Sequence, residues 1–270
     1  MLTFPAAKIN LGLHVKEKRA DGFHTIETLF YPLDFHDVLE IVPSETTSLS
    51  LSGLKIEGEK ENNLCIKAYR LLCEAFDLPP VAIYLHKLIP SGAGLGGGSS
   101  DAAHTLKLLD KLFNLQLTAK QLLHYAAMLG SDCPFFLHHE AMLATGRGEI
   151  LSSFPVNLQG KYIIVVKPPI FVSTAMAYAG IIPKQALVPL SEILKQPVEK
   201  WKNSLVNDFE NTVFVKYSEL AHSKQQLYDA GAFYAAMSGS GAALYGLFEE
   251  KTKWQQAKTM LDNVLFFGGL

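Results

Sequence analysis

Residues 90–100, Pro90-Ser91-Gly92-Ala93-Gly94-Leu95-Gly96-Gly97-Gly98-Ser99-Ser100, hold five glycines within seven positions. With no bulky side chains to shield it, such a backbone can turn its N–H groups toward an anion. A helix directly after it adds unpaired N–H groups and the positive end of its dipole. That combination suits a phosphate cradle. Two isolated charges stand elsewhere in the chain. Asp132 is a lone carboxylate in Gly130-Ser131-Asp132-Cys133-Pro134-Phe135-Phe136, and Lys8 is a lone cation in Ala6-Ala7-Lys8-Ile9-Asn10-Leu11. Each also has an ordinary reading. Asp132 could shape a turn or cap a helix, and Lys8 could be an edge lysine whose stem covers apolar surface. The glycines could form a turn that binds nothing.

Three kinds of phosphate loop compete. A Walker loop ends in Gly-Lys-Ser/Thr, and Gly98-Ser99-Ser100 has no lysine. Gly92-x-Gly94-x-x-Gly97 spells the dinucleotide fingerprint, but the acidic ribose contact is missing at its place roughly 20 residues on. The nearest candidate, Asp110, continues the helical run 106–109. A protein-kinase glycine loop lies between two strands. This one must leave a strand and open a helix.

The elements that have to position these groups follow from patterning. An apolar run over 81–89 predicts the strand entering the loop. Residues 101–113 predict the helix leaving it, with Leu106, Leu109 and Phe113 on its core face. Partial alternation over 6–15 predicts a strand around Lys8. Residues 25–34, 38–43 and 48–54 predict further strands. Asn63 is placed to cap a helix over 64–76. Thr118 and Gln121 have capping-box spacing for a helix over 119–129. Arg19-Ala20-Asp21-Gly22-Phe23-His24 reads as a hairpin turn, and Gly146-Arg147-Gly148-Glu149 as a turn into a strand. The pattern changes near residues 152–155, which predicts one domain over 1–154 and a second over 155–270. In the second half, 161–167 is apolar enough for a strand buried on both faces. Ser173 and Thr174 cap a short helix over 175–179. Residues 187–202 are the least readable. A helix over 212–229, a strand–turn–strand over 235–248, a helix over 254–261 and a strand over 264–267 complete an α+β chain.

Composition narrows the function. The 270 residues are 49% hydrophobic and 19% charged, with a net charge of −2, so no basic excess recommends nucleic acid. Cys65, Cys73 and Cys133 suit neither a disulfide framework nor a zinc site. The nine histidines are scattered. The start, Met1-Leu2-Thr3-Phe4-Pro5, predicts no signal peptide. No apolar run approaches the ~20 residues of a membrane span. The expectation is a cytoplasmic enzyme, with no protein partner evident.

Pro90-x-x-x-Gly94-Leu95-Gly96-x-x-Ser99-Ser100 resembles the second motif of the GHMP kinases. Ala7-Lys8-Ile9-Asn10-Leu11 resembles their first motif, Gly130-x-Asp132-x-Pro134-Phe135-Phe136 their catalytic-aspartate pattern, and Ser238-Gly239-Ser240-Gly241 their third motif. The group from Arg19 to His24 is similar to one branch, whose acceptor carries a cytidine diphosphate group.

The resemblance implies a two-domain α+β fold, with an N-terminal domain like ribosomal protein S5 domain 2 and a ferredoxin-like C-terminal α/β sandwich. It implies ATP and Mg²⁺ as cofactors. Lys8 and Asp132 become catalytic. Asn63, Leu64, Lys87, Pro90, Ser91, Gly92, Ala93, Gly94, Leu95, Gly96, Gly97, Gly98, Ser99 and Ser100 surround the nucleotide, with Ser99 or Ser100 on the Mg²⁺. Asn10, Phe23, His24, Thr174 and Tyr178 touch the acceptor, with Phe23 and Tyr178 on the two faces of a cytosine and His24 at its edge. Glu149 lies on the substrate side. Phe23 replaces a common tyrosine. Ala93 replaces a glycine, so position 93 should not need a positive φ. A homoserine or sugar kinase of the same family, or a non-catalytic nucleotide-binding regulator, are the alternatives.

Overall fold

The computed structural model describes residues 1–56 and 58–270. Its strands are β1 (Leu2–Thr3), β2 (Ala6–Lys18), β3 (His24–His36), β4 (Val38–Pro43), β5 (Ser48–Gly53), β6 (Val81–Lys87), β7 (Met142–Thr145), β8 (Ile150–Ser153), β9 (Tyr162–Val166), β10 (Tyr234–Met237), β11 (Leu244–Phe248) and β12 (Val264–Gly269). They form three four-stranded sheets, ordered β1-β4-β6-β5, β2-β3-β7-β8 and β10-β11-β9-β12. Mixed with helices, these give the α+β class expected.

The chain gathers into two compact units, interleaved along the sequence. The first takes residues 1–8, 32–91 and 96–139; the second takes 9–31, 92–95 and 140–270. The sequence reading instead makes a single cut between residues 154 and 155. Long β2 and β3 contribute to both units, which no local pattern reveals.

In the first unit β5 runs parallel to β6. A parallel pair needs a crossover, and helix α1 (Leu64–Phe76) supplies it. Asn63 caps α1 as expected, its side chain accepting from the Cys65 N–H at 2.9 Å. Helix α2 (Gly97–Phe113) starts four residues before the predicted 101. Gly92, Gly94 and Gly96 have positive φ, but Gly97 and Gly98 do not, so the chain enters the helix as soon as it leaves Gly96. Helix α3 (Ala119–Leu129) begins with the capping box of Thr118 and Gln121. The buried faces of α1 and α2, including Ile66, Leu72, Leu106 and Leu109, share one core with Leu39, Ile41, Ile83 and Leu85 of the sheet.

In the second unit Ile163 to Val166 of β9 are all buried, as a strand covered on both faces should be. The helix predicted over 212–229 is two helices, Glu210–Lys216 and Ser218–Asp229, broken at Tyr217 (φ −129°, ψ 78°). The break lets Val213, Leu220 and Leu227 all reach one core with Leu13, Val15 and Phe209. The hard-to-read 187–202 stretch folds as helical pieces at Leu190–Leu194, Val198–Lys200 and Trp201–Ser204. Pro189 and Pro197 precede two of them, and Trp201 is buried edge-to-face on Tyr234.

Candidate active site

Lys8 and Asp132 meet in the first unit. Their Nζ and Oδ2 lie 3.5 Å apart. Lys8 is 2% exposed, which removes the edge-lysine reading. Burial pushes its pKa down, and the Asp132 carboxylate opposes that shift. Asp132 precedes the short turn Cys133–Leu137 and makes no side-chain capping bond there. Its carboxylate keeps about a third of its surface, 35%, which leaves room for a reacting hydroxyl. The cap reading therefore fails, and the lysine–carboxylate pair stands.

The glycine loop is packed more tightly than its composition suggests. Ala93 and Leu95 are buried. A Cβ on Gly96 would stand 2.6 Å from the Phe136 ring and 3.1 Å from Cγ of Lys8. Gly96 thus brings the loop backbone onto the Lys8 stem. Gly98 differs: the nearest atom to a Cβ there is Leu64 Cδ1, at 3.7 Å. Gly98, Ser91, Asn63, Leu64 and Lys87 line one cavity of about 210 Å³, with Leu51, Ile56 and Asp101 also on its wall. Gly96, the residue before α2, has no side chain to cap that helix. The N–H groups of Gly97, Gly98 and Ser99 are those that helix geometry itself leaves for an anion.

Lys87 is buried at the end of β6. It is 1% exposed, and its ammonium is paired with Asp37 and with Asp101, the latter at 2.7 Å.

In the second unit the remaining loop residues meet the third motif. The Ser238 hydroxyl donates to the Gly94 carbonyl at 2.8 Å, and the Ala243 N–H donates to the Ala93 carbonyl at 3.1 Å. A Cβ on Gly94 would stand 1.9 Å from the Ser238 carbonyl oxygen, so only glycine fits. Ala93 has no positive φ, as expected. Asn10 lies on β2, where its amide donates to the Thr28 hydroxyl at 2.9 Å and its N–H to the Ser238 hydroxyl at 3.3 Å. Tyr245 donates to the Asn10 carbonyl at 2.6 Å.

The hairpin 19–24 is also in this unit. Asp21 pairs with Arg19 and accepts the Phe23 N–H at 3.1 Å, which holds the Phe23 ring out, 53% exposed, with the Arg147 guanidinium 4.9 Å from its centroid. His24 stacks on Tyr178, centroids 4.7 Å apart, and Tyr178 meets Phe209 edge-on. The expected sandwich of a base between Phe23 and Tyr178 is thus not preformed: a base reaches that face of Tyr178 only if His24 turns away. Burial, then Lys18, lower the His24 pKa, so the ring is neutral at pH 7 and can donate at one nitrogen and accept at the other. Thr174 shares a hydrogen bond with Ser240 at 3.2 Å. Glu149 accepts the Arg147 N–H at 2.6 Å and so shapes its own turn.

Two family models match the chain. GHMP kinases N terminal domain matches residues 63–140, and GHMP kinases C terminal matches residues 190–265. The chain belongs to the GHMP kinases. Within that family, it is 51% identical over 257 residues, 94% of each chain, to a 4-diphosphocytidyl-2-C-methyl-D-erythritol kinase of Bacteroides fragilis. It is 50% identical to the Cytophaga hutchinsonii protein of that name over 93% of each chain. A crystal structure of 4-(cytidine 5'-diphospho)-2C-methyl-D-erythritol kinase superposes with a TM-score of 0.82 at 33% identity, covering 96% of this chain and 94% of that one.

This GHMP kinase offers a magnesium ion few ligands of its own. No group of three or more His, Cys, Asp or Glu among the described residues could hold a metal. The Ser100 hydroxyl is buried with no hydrogen-bond partner among the described residues, whereas Ser99 is half-buried at the start of α2. Donors this sparse fit an ion that brings phosphate oxygens and water with it.

Sequence reasoning missed Asp37, Asp101, Asn207 and the reach of Ser238. Asn207 is 2% exposed and donates to the Met237 and Gly239 carbonyls at 2.7 and 2.8 Å, fixing the third motif's turn. Asn207-Asp208 had only the signal of a helix-leading pair. Asp101 follows the two serines directly and reads as helix; Asp37 stands alone between two strands.

Proposed function

We infer that this chain is an ATP-dependent kinase that phosphorylates the 2-hydroxyl of 4-diphosphocytidyl-2-C-methyl-D-erythritol, a step in isoprenoid precursor biosynthesis. The observation that carries the reading is half identity over nearly the whole chain to kinases of that name. The buried Lys8 beside the open Asp132 supports it independently.

Phosphoryl transfer asks mainly for positioning and charge neutralisation. The N–H groups opening α2 hold the ATP phosphates, and the cavity lined by Asn63, Leu64, Ser91 and Gly98 takes the nucleoside end. Asp132 accepts the proton of the acceptor hydroxyl, and Lys8 orients that carboxylate. Asn10, Phe23, His24, Thr174 and Tyr178 bind the acceptor, His24 reading the cytosine edge. Ser99 would help hold Mg²⁺, which would supply charge neutralisation. A cytoplasmic location belongs to the same reading, since the reaction consumes ATP. So does a division into residues 1–154 and 155–270, on either side of which the two family models fall.

An ATP-consumption assay over the cytidyl alcohol, homoserine, mevalonate and galactose tests the reading. Turnover with the cytidyl alcohol alone is expected; preference for another acceptor would overturn it. Cytidine diphosphate should compete with the acceptor and not with ATP, and His24→Ala should weaken that competition. Equal competition by uridine diphosphate would remove the base-reading role of His24.

A further inference from the structure

We propose that Asp37, Lys87 and Asp101 form a buried clamp that ties the entrance of the nucleotide loop to its exit, and that nucleotide affinity depends on that tie. The proposal rests on the kinase reading above and gives three positioning residues to its nucleotide site.

Asp37 is fully buried in the turn between β3 and β4. One carboxylate oxygen accepts two backbone N–H groups, from Leu88 at 2.6 Å and Ile89 at 2.9 Å. These are the last two residues before Pro90, so Asp37 fixes the chain as it enters the loop. Its other oxygen takes the Lys87 ammonium. The same ammonium donates to Asp101 Oδ2 at 2.7 Å. Asp101 lies in α2, the helix by which the loop leaves. One cation therefore joins the strand before the loop to the helix after it. Gly97 completes the fit: a Cβ there would stand 2.8 Å from Ile89 Cγ2 and 3.2 Å from Lys87 Nζ, so only glycine lets the helix start lie against the clamp.

The arrangement is not explained by stability alone. Two carboxylates share one ammonium out of water, and ion pairs buried this way contribute little net stability compared with apolar packing. Asp101 Oδ1 is buried with no hydrogen-bond partner among the described residues, a further cost. Such groups do fix geometry, because a carboxylate gripping two N–H groups and an ammonium has few alternative poses. What they fix here is the spacing of the loop's two ends. Lys87 and Asp101 both line the cavity assigned to the nucleotide.

The test measures binding of the non-hydrolysable ATP analogue AMPPNP and of cytidine diphosphate by calorimetry, with Mg²⁺ present, for the wild type, Asp101→Asn and Asp101→Leu. Asparagine keeps an oxygen that can accept from Lys87; leucine keeps the volume and removes it. Asp101→Leu should lose tenfold or more in AMPPNP affinity with cytidine diphosphate affinity unchanged, and Asp101→Asn should stay within threefold of the wild type. Steady-state kinetics should show the leucine loss in KM for ATP and not in kcat. A folded leucine variant that binds AMPPNP like the wild type would overturn the clamp, as would equal loss of both ligands, which marks general fold support. If Asp101→Leu does not fold, Asp101→Ala, which removes the acceptor without adding bulk, decides: a tenfold loss of AMPPNP affinity with cytidine diphosphate affinity unchanged upholds the clamp, and wild-type AMPPNP affinity overturns it. A wild-type protein that binds no AMPPNP would instead overturn the kinase reading itself.

Discussion

At the scale of single residues, the proposed chemistry rests on Lys8 and Asp132. A free aspartate titrates near 4 and is a weak base at neutral pH. Its use here depends on position, with the Lys8 ammonium 3.5 Å away holding the carboxylate toward one place. General-base assistance is worth roughly 10²–10⁴-fold. Asp132→Asn removes the proton acceptor at nearly constant volume, so kcat should fall by about that range with nucleotide affinity retained. Lys8→Met keeps the stem that packs on Gly96 and removes the charge, and should lower kcat too. If the two act as a unit, the double variant loses much less than the product of the single losses. Steady-state kinetics with nucleotide titration check this; multiplicative losses would mean independent roles.

At the scale of elements, the loop's glycines divide by what surrounds them. Gly96 faces Phe136 and Lys8 and has φ +73°. A valine there forces both a strained backbone and a clash, so Gly96→Val should cost about 1–3 kcal/mol of stability as well as binding. The loop cannot be altered at this position without touching the fold, because Gly96 packs on Phe136 and Lys8. Gly98 differs: its neighbour Leu64 is at contact distance and its φ is not positive. Gly98→Val should raise KM for ATP by about tenfold, on the order of 1.4 kcal/mol, with thermal stability close to the wild type. The third motif makes a parallel case. Asn207→Ala strips hydrogen bonds from two buried carbonyls and should cost about 2 kcal/mol, read by urea unfolding. A change under a few tenths would show that the Ser238–Gly241 turn holds its shape without it.

At the scale of the whole molecule, acid stability has a named contributor. His104, 8% exposed on α2, bonds through Nδ1 to the Ser100 carbonyl at 2.9 Å. Burial pushes its pKa down to about 4, and the Ser100 bond only partly opposes that. As pH falls from about 6.5, the unfolded chain takes up the proton first. Stability from the buried neutral ring is therefore complete above about pH 6.5 and lost progressively toward pH 4. At about 1.36 kcal/mol per unit, the full difference is on the order of 3 kcal/mol. Urea unfolding at pH 7 and pH 4.5 should show a larger loss for the wild type than for His104→Asn; equal losses would clear His104 of the effect. No helix among the described residues is long and apolar enough to cross a membrane.

The sequence by itself determined the local devices. Asn63 and Thr118 cap their helices, the glycines open α2 and residues 162–166 make a buried strand, because each depends on near neighbours alone. Resemblance to the family's motifs, and not local patterning, singled out Lys8 and Asp132. Only the tertiary structure decided which charges meet. Asp37 and Lys87 are 50 residues apart in the chain, and Asn10 and Ser238 are 228 apart. A burial partner that distant leaves no periodicity or spacing to read. The same reason hid the break at Tyr217, where packing of Val213 and Leu220 into one core outweighs a helical pattern that runs on unbroken. Folding also buries Lys87, whose strand position alone would allow solvent, between two carboxylate partners.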